Sequence, residues 1–515
     1  MEHAGAWCSY GPVGRLRVTN GIGSLPLAYR EPRAHEIHPQ RVSNAKTALW
    51  SLSDFPGHPE RSRIKQVGMS SHLVNVDRDT PLLLPPDLRQ WVSPRDCVHF
   101  LIDTLPLLDL SRAVLNDRGT GSAQYPPGVM AALLIYCYAH GIFSSRQIER
   151  ATYQHVAVRY LMADLHPDHD TIAKFRRENG ALLKSLFVQI LQLAKASELV
   201  KLGAIAIDGT KFKGAAAKKH TYSQAQLEEQ LRTLDVQIGE LLQQAEQADQ
   251  VAATQGADPD DLPAALAEAQ ARREKLQAAQ ALLAAQAEER ARAREAERAR
   301  STMPERGKPK PLSPKVKPGD RINLSDPESA LVPGKGDGYL QGYNAQLAVS
   351  VAAPGELSLI TAALVCTAAS DIQQLEPMAD EVVANLQCAP KTLVDDKGYD
   401  NTRQILEVEK RYGCEVLCPP VEIAQKKAGT KLRYTWDRQR HEARERMRTR
   451  LEDPVRQALL RRRGTSVEPA FGIVKNAMGF QRFRLRGLAK VQTEWTLVSL
   501  AFNCRRLAAK GLRFS

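Results

Sequence analysis

The chain has 515 residues and carries 71 Lys and Arg against 58 Asp and Glu, a formal net charge of +13. No stretch approaches the ~18 consecutive apolar residues of a membrane span, and the eight cysteines form no disulfide or zinc framework. These features exclude a membrane protein and a disulfide-stapled secreted domain. They predict a soluble, cytoplasmic protein of several domains whose basic balance favours a polyanionic partner, most simply nucleic acid.

The N-terminal 68 residues mix Gly, Pro, His, Arg and Trp without a helix or strand period. Two interpretations remain open for this region. Translation begins at Met69 and the preceding stretch is a mis-assigned start, or residues 1–68 are an irregular basic arm that contacts DNA.

Residues 69–200 predict a helical domain. Pro126 and Pro127 open one helix and Ser144 with Ser145 caps the next. A further helix, for which Asp170 is a plausible N-cap, presents three basic residues: Lys174, Arg176 and Arg177. Two helices with a short turn and a basic second member are typical of a helix-turn-helix contact with DNA, and an ordinary packed helical pair fits equally well. The nearby His166 and His169 are interpreted as turn residues rather than metal ligands.

An apolar strand, Ala204 to Ile207, runs into Asp208, and Gly209 after it is expected to let the backbone turn. A carboxylate at the end of a buried strand is costly to place and usually holds a cation or accepts a hydrogen bond. A strand-capping role is the simpler alternative for Asp208 alone, so the interpretation depends on matching acids downstream.

Residues 218–320 predict an insertion. Leucines and other apolar residues recur in alternating steps of four and three from Leu227 to Ala248, which is a heptad pattern. A Gly/Pro/Asp break over 256–263 separates them from a second Ala/Glu/Arg-rich helix that ends near Arg300. We expect an antiparallel coiled-coil hairpin followed by a stiff Pro/Lys return linker. A spacer arm is the favoured role, against dimerisation or DNA clamping.

Two strands, 338–351 and 357–365, then precede a helix and the apolar strand that leads into Asp395 and Asp396. Farther on, Glu468 is predicted in the first turn of a helix, followed by Pro469, with Lys475 seven residues later on the same face. The alternation of Arg482, Arg484 and Arg486 with apolar residues predicts a basic, half-buried segment against DNA phosphates. Arg461, Arg462 and Arg463 are interpreted as solvated charge.

The basic residues concentrate on both sides of Glu468. Residues 421–463 contain fourteen Lys and Arg against six Asp and Glu, and residues 476–515 contain eight against one. Two strand-end aspartates and one helix-borne glutamate, Asp208, Asp396 and Glu468, are hard oxygen ligands of the type that Mg²⁺ prefers, with Mn²⁺ as a possible substitute. The sequence therefore predicts a magnesium-dependent reaction on DNA.

Five segments in order carry a resemblance to a known family: SSRQIERA…HPDHDTIAKFRRENG, IDGTKFK, RINLSDPESALVPGKGDGYLQGYNAQLAVS, LVDDKGY and VEPAFGIVKNAMGFQRFRLRG. The chain resembles a bacterial insertion-sequence transposase of the DDE class. The resemblance implies an α/β fold with an RNase H-like mixed sheet, three antiparallel strands followed by parallel strands, with helices on both faces. It covers most of residues 100–510 and departs from the family over 421–450, where a cysteine-bearing insert of many relatives is replaced by a basic run.

The resemblance further implies that Asp208, Asp396 and Glu468 are the catalytic metal ligands, Asp208 bridging two ions. It selects Asp396 over its neighbour Asp395, because the acid directly before the Lys/Ala-Gly-Tyr motif is the ligand in the family. Asp326 and Asp371 are left as structural acids. The catalytic domain is expected over 201–217 and 321–487, with 488–515 as a C-terminal helix.

The expected partners are the terminal inverted repeats of the element and its target DNA. A homodimer in the DNA complex and association with the nucleoid follow from the same resemblance. Two alternatives remain: an RNase H-like nuclease that cuts without joining, and an inactive DNA-binding relic.

Overall fold

The computed structural model describes these ranges of the chain: 87–115, 123–199, 203–255, 262–300, 314–334, 338–353, 356–421 and 435–511. Residues 1–68, with the question of a start at Met69, lie outside them. None of the helices within these ranges is both long and apolar enough to cross a bilayer.

The N-terminal segment is helical, as predicted. Its helices are α1 Cys97–Thr104, α2 Pro127–Ala139, α3 Ser145–Gln154, α4 Val156–Leu161, α5 His169–Glu178 and α6 Gly180–Ala196. Helix α2 is apolar on all sides and nearly all of it is buried, which is typical of a core helix. The cap of α5 differs from the prediction: Asp168 rather than Asp170 accepts a 2.8 Å hydrogen bond from the Thr171 N–H.

A mixed six-stranded sheet forms the centre of the molecule. The strands in chain order are β1 Ala204–Lys213, β2 Thr221–Ser223, β3 Arg321–Asn323, β4 Ala330–Pro333, β5 Tyr339–Ser350, β6 Ile360–Cys366, β7 Thr392–Val394 and β8 Glu415–Leu417. The order in the large sheet is β4-β5-β1-β7-β8, and β6 also pairs with β5. Strand β1 is antiparallel to β5 and parallel to β7, so it is central in the sheet and lies beside the strand that leads into Asp396.

Strand β1 is longer than expected, because it continues through Gly209 to Lys213 without a turn. Its second half is mostly partly buried and stays paired to β5, so polar residues there do not end the strand. Gly209 is needed for space: a Cβ at this position would lie 2.3 Å from Gln346 Nε2 and 2.6 Å from Asp371 Oδ1.

The remaining helices are α7 Gln224–Gln255, α8 Leu262–Arg300, α9 Leu375–Leu386, α10 Thr402–Tyr412, α11 Thr435–Glu452, α12 Pro454–Gly472 and α13 Leu488–Ala509. Helices α9, α10, α12 and α13 cover the two faces of the sheet. Strand β1 alternates its side chains between two apolar clusters, one on each face. Ile205 and Ile207 pack in one cluster with residues of α9 and α10. Ala204 and Ala206 belong to the other, which includes residues of α12 and α13.

Helix α13 joins the N-terminal helices to the sheet. Trp495 is fully buried, and its indole N–H donates a 3.0 Å hydrogen bond to the Gln346 carbonyl on β5. The same apolar cluster includes α2 and α6, which pack against α13. The C-terminal helix is therefore part of the shared core and not an appendage.

Helices α7 and α8 pack on each other and form the insertion between β2 and β3. Their shared apolar cluster contains Leu227, Leu234, Leu276 and Leu283, which are positions of the predicted repeat. The insertion begins and ends at one place, because β2 pairs with β3 and aligns Ser223 with Arg321.

We expect the core to fold without this insertion. Replacing 225–319 by an Asn-Gly turn should join β2 to β3 directly, since two-residue turns of this type close antiparallel strands. Circular dichroism should show less helix and a retained cooperative thermal transition. As a matched change in the full chain, Leu276→Asp should disrupt the α7–α8 contact and leave the core transition in place. Loss of cooperative unfolding in the shortened chain would show that the insertion belongs to the core.

Candidate active site

The structure brings Asp208 and Asp396 together at one edge of β1 and β7. The parallel register aligns Ala206 with Val394, and continuing it by two residues places Asp208 beside Asp396. The charge of Asp396 acts on Asp208 directly, as one of the influences that raise the Asp208 pKa. Two carboxylates that are 188 positions apart in sequence therefore form a pair.

Asp208 is largely desolvated and faces a guanidinium. Burial raises the pKa of Asp208 above its ordinary value, while Arg463 and the Gly209 backbone N–H oppose the increase. Arg463 NH1 lies 3.3 Å from Asp208 Oδ2, and the Gly209 N–H donates a 2.8 Å hydrogen bond to Oδ1. The Arg463 guanidinium therefore supplies positive charge beside a largely desolvated carboxylate within β1.

Arg463 was interpreted from the sequence as solvated charge, and that interpretation is wrong. Its side chain is 16% exposed and points from α12 toward Asp208, whereas Arg461 and Arg462 are exposed as expected. The signal is present in the helical period: Arg463 lies four residues before the buried Val467 and so shares its inward face.

Glu468 lies near the C-terminal end of its helix and not in the first turn. Helix α12 begins at Pro454, where Asp453 caps it, so Pro469 sits in the helix interior. The Ser466 hydroxyl donates to the Arg462 carbonyl at 2.8 Å, and a π-helical segment, Ile473–Ala477, follows. Val467, Phe471 and Val474 are buried and hold this irregular helix against the sheet.

The Glu468 side chain is exposed on α12. In the described part of the chain, no three His, Cys, Asp or Glu side chains stand close enough together to hold a metal ion. The register of β1 and β7 aligns Asp208 with Asp396, while Glu468 stands on α12 with an exposed side chain.

Asp395 is fully buried, and neither of its carboxylate oxygens has a hydrogen-bond partner among the described residues. Burial raises the pKa of Asp395 well above its usual range, and Asp396 adds to the increase. The neighbouring Cys418 thiol approaches the Asp396 carbonyl at 3.3 Å. Asp396 itself accepts a 2.7 Å hydrogen bond from the Gly398 N–H. Burial therefore favours the neutral acid form of Asp395, so this residue adds no stable negative charge to the acid pair.

A polar network lies around Gly209, the residue that follows Asp208 on β1. The Asp371 carboxylate accepts hydrogen bonds from Lys211 Nζ at 3.1 Å and from the side-chain amides of Asn344 and Gln346 at 2.7 Å. Because every contact of Asp371 in this network is to protein donors that it satisfies, its geometry matches the structural role expected of it. Asp326 likewise accepts the Tyr343 hydroxyl at 2.9 Å.

Lys475 reaches β1 two residues beyond Asp208. Its Nζ donates a 2.5 Å hydrogen bond to Thr210 Oγ1 and lies 4.8 Å from the centre of the Phe212 ring. Thr210 and Asp208 share one face of β1, so this cation stands beside the acid pair. The π-helical segment changes the helix phase between Glu468 and Lys475, so their spacing of seven does not place them on one regular α-helical face.

The segment after the π-helix alternates as predicted. Arg482, Arg484 and Arg486 are exposed, whereas Phe483 between them is fully buried against β1 and β5 residues. The Phe483 N–H donates to the Lys213 carbonyl at 2.8 Å, which fixes the segment to the end of β1. The buried phenylalanine thus orients neighbouring arginines toward solvent.

Helix α5 exposes two of the three basic residues for which DNA contacts were predicted. Lys174 and Arg177 are exposed, but Arg176 is only 6% exposed, so its side chain is not available to DNA. Its guanidinium donates to the Tyr138 hydroxyl at 2.9 Å and to the Phe143 carbonyl at 2.8 Å. The helical period explains the difference, because Arg176 follows the buried Ile172 by one turn.

A buried carboxylate connects this network to the arginine segment. Glu494 on α13 accepts the Tyr138 hydroxyl at 3.2 Å and the backbone N–H groups of Arg484 and Leu485 at 2.8 and 3.1 Å. Burial raises the pKa of Glu494, and these donors together with Arg176 oppose the increase. Glu494 was not identified from the sequence, where a single acid in an apolar helix carried no functional pattern.

Part of the basic run in 421–463 is neutralised within the protein. Arg444 pairs with the buried Asp400, Arg450 pairs with Glu409, and Arg456 Nε lies 2.8 Å from Glu415 Oε1. The exposed arginines of α11 and α12 that remain for a polyanion include Arg438, Arg440, Arg446, Arg461 and Arg462.

Two family comparisons match this chain. A family described as "Transposase DDE domain" matches residues 387–508, which include Asp396, Glu468 and the arginine segment. A family described as "Transposase domain (DUF772)" matches residues 86–178, the helical segment up to the end of α5. Comparison with curated proteins and with solved structures gave no significant match.

The two family matches support a transposase of the DDE class, and the mixed sheet with its parallel strands is compatible with a DDE-type core. More particularly, they support an insertion-sequence transposase, an enzyme that catalyses DNA cleavage and transfer, and this class depends on divalent metal ions.

Arg463 should determine how the acid pair responds to divalent cations. In Arg463→Met the pair loses its nearest cation, and the repulsion between Asp208 and Asp396 should lower the melting temperature. Adding MgCl₂ should then raise the melting temperature more than in the unaltered chain, because the ion no longer competes with a guanidinium. The control is Arg462→Met, which removes an exposed neighbour. An equal MgCl₂ response of the two variants would contradict this role.

Glu494 should be a major determinant of stability. In Glu494→Ala, Arg176 keeps its buried charge without the nearby anion, and breaking such a buried network costs roughly 3–5 kcal/mol. Urea unfolding should show this loss in the free energy of unfolding, whereas Glu442→Ala on the exposed side of α11 should change it by about 0.5 kcal/mol or less. A small effect at Glu494 would mean that water replaces its contacts.

Proposed function

We propose that the catalytic centre comprises Asp208, Asp396 and Glu468, and that these carboxylates hold Mg²⁺, with Mn²⁺ as a substitute, in an RNase H-like core. The observation that carries the proposal is the parallel register of β1 and β7, which aligns the first two acids. The strand order, with β1 between an antiparallel β5 and a parallel β7, supports the RNase H-like assignment.

The residues present fit a divalent ion. Asp208 is desolvated beside a second carboxylate, Asp396, whose charge acts on it and raises the Asp208 pKa. Two bound ions about 3.5–4 Å apart would supply activation of an attacking oxygen and stabilisation of a leaving oxygen at phosphorus. Asp208 is the proposed shared ligand, Asp396 its partner, and Glu468 the third ligand, whose exposed side chain has room to change rotamer.

Lys475 orients the phosphate next to the reaction centre in this proposal. It stands on the same face of β1 as Asp208, and its bond to Thr210 keeps its charge near the acids. A fixed cation at this position would counter the charge on the scissile phosphate, since hydrogen bonds that involve charged groups are stronger than neutral ones.

The DNA path extends from Lys475 over the arginine segment to α5. Arg482, Arg484 and Arg486 are exposed there, and the Arg484 guanidinium lies 5.8 Å from the ring centre of Phe143. The Phe143 carbonyl in turn accepts a hydrogen bond from Arg176 on α5, the helix that exposes Lys174 and Arg177. The basic residues of the two segments therefore belong to neighbouring surfaces on which a duplex backbone can lie.

The proposed DNA partners are the terminal inverted repeats of the element and its target. A homodimer in the DNA complex, association with the nucleoid and a coiled-coil geometry for α7 and α8 complete the proposal. The apolar cluster between these helices supports the last point.

The metal site is tested by removing one charge at a time. Asp208→Asn, Asp396→Asn and Glu468→Gln keep side-chain size and abolish the negative charge. Each should lower magnesium-dependent cleavage at the element ends by orders of magnitude, with little additivity, because one site is lost each time. DNA binding should persist, since the basic surfaces remain.

Asp395→Asn is the matched control for the choice of acid. Strand alternation directs Asp395 away from Asp208, so its variant should be much milder than Asp396→Asn. Loss of cleavage in Asp395→Asn together with activity in Asp396→Asn would show that the wrong acid has been assigned. Full activity in all four variants would refute the metal site, and cleavage without joining in the unaltered chain would indicate a nuclease.

A further inference from the structure

Helix α3, Ser145–Gln154, presents a continuous polar face to solvent. Its opposite face is buried through Ile148, Ala151 and Thr152. The exposed residues lie on one side at helical spacing and comprise two arginines, two glutamines and a tyrosine. They are Arg146, Gln147, Arg150, Tyr153 and Gln154. This face therefore carries positive charge and hydrogen-bonding amides without a carboxylate.

The exposed face of α5 has a different composition. Its exposed residues are Asp170, Lys174, Arg177 and Glu178, two bases and two acids whose formal charges cancel. Arg177 NH2 also lies 3.8 Å from Glu178 Oε1. Carboxylates repel the phosphates of a duplex, so the face of α3 is electrostatically better matched to DNA than that of α5.

The turn that precedes α5 holds α3 in one orientation. His169 Nδ1 lies 2.8 Å from Glu149 Oε2 at the border of the polar face, and His166 Nδ1 lies 3.1 Å from Thr152 Oγ1. The His166 ring stacks on Tyr153 with centroids 3.9 Å apart and planes 15° apart, although Tyr153 is 56% exposed. A helix that is fixed in this way loses little freedom when its outer face binds a ligand.

The N-terminal end of α3 lies beside the arginine segment. Phe143 precedes the helix by two residues, and its ring packs edge-on against Phe480 with centroids 5.3 Å apart. The Arg484 guanidinium lies 5.8 Å from the centre of the same Phe143 ring. Arg146 follows in the first turn of α3. A duplex whose backbone lies on the arginine segment can therefore continue onto the polar face of α3.

The residue types on this face match the edges of bases in a major groove, which is wide enough to admit an α-helix. An arginine can donate two parallel hydrogen bonds to guanine O6 and N7, and a glutamine can pair in the same bidentate manner with adenine N6 and N7. Lysines that contact only phosphate carry no sequence information. Two arginines and two glutamines on one helix face are thus suited to reading base sequence.

We propose that α3 enters the major groove of the terminal DNA and reads its sequence, with Arg146 and Arg150 as the principal base contacts and Gln147 and Gln154 beside them. The inference rests on DNA as the substrate under the proposed function, and it adds the place where the element ends are recognised. Contacts from α5 and from the arginine segment would then hold the phosphates and position the duplex.

Selection from a random duplex library tests the assignment. The library has about 20 randomised base pairs, which is about two helical turns, and binding is carried out without divalent ions. The proteins are the unaltered chain, Arg146→Ala, Arg150→Ala and the control Arg177→Ala, which removes an exposed arginine from α5. Each is then titrated against the enriched duplex and against a duplex of the same composition in permuted order. Circular dichroism checks that the three variants keep the melting behaviour of the unaltered chain.

The unaltered chain should enrich a defined sequence. Arg146→Ala and Arg150→Ala should each lose the preference at one or two base pairs and lower the ratio of the affinities for the enriched and permuted duplexes by roughly 5- to 150-fold. Arg177→Ala should weaken both duplexes alike and leave that ratio unchanged, as expected when a phosphate contact is lost.

The proposal is overturned if the α3 variants keep the ratio, which would mean that this face serves another partner, or if Arg177→Ala lowers it equally. It is also overturned if the unaltered chain enriches no sequence. Asp208→Asn should enrich the same sequence as the unaltered chain, so that failure of the metal site is distinguished from failure of recognition by α3.

Discussion

Desolvation of the Asp208 carboxylate is the constraint on which the active-site architecture depends. The residue lies in the middle of the central strand, where water is largely excluded and the ionised form is disfavoured. The charge of the neighbouring Asp396 disfavours the ionised form of Asp208 further. Two cations from α12 and the π-helical segment after it offset this charge. Arg463 approaches Asp208, and Lys475 donates a hydrogen bond to Thr210 on the same face of β1. Helix α12 and the π-helical segment after it must therefore dock on this face for the strand to keep its charge.

The irregular end of α12 follows from the same requirement. Pro469 removes one backbone donor inside the helix, and the following turn widens into the π-helical segment. The buried side chains Val467, Phe471 and Val474 hold both parts against the sheet. A regular helix would keep Lys475 in a fixed relation to Glu468. The π-helical segment instead directs Lys475 toward β1, whereas Glu468 faces solvent. These two residues of one sequence motif therefore belong to different surfaces.

Much of the fold was accessible from local patterns. The helical segment before the sheet and the apolar strands that lead into Asp208 and Asp396 were predicted from their sequence patterns, and the structure contains all of them. Local sequence patterns gave wrong predictions where contacts between residues distant in sequence determine the structure. Polar residues after Asp208 suggested the end of a strand, but pairing to β5 extends it. Arg176 and Arg463 resembled surface charge, yet tertiary partners hold both inside, and Glu494 gave no signal at all.

The β2–β3 pair has a consequence for the order in which the chain folds. Strand β1 must find β5 across a long interval, with Lys213 opposite Gly342, and closing so large a loop slows folding. Helices α7 and α8 lie within that interval and form their contacts with each other over much shorter separations. Once they have paired, Ser223 and Arg321 are neighbours, and the loop left to close is short. The insertion can thus act as an internal folding aid, because its early formation brings the two central strands within reach.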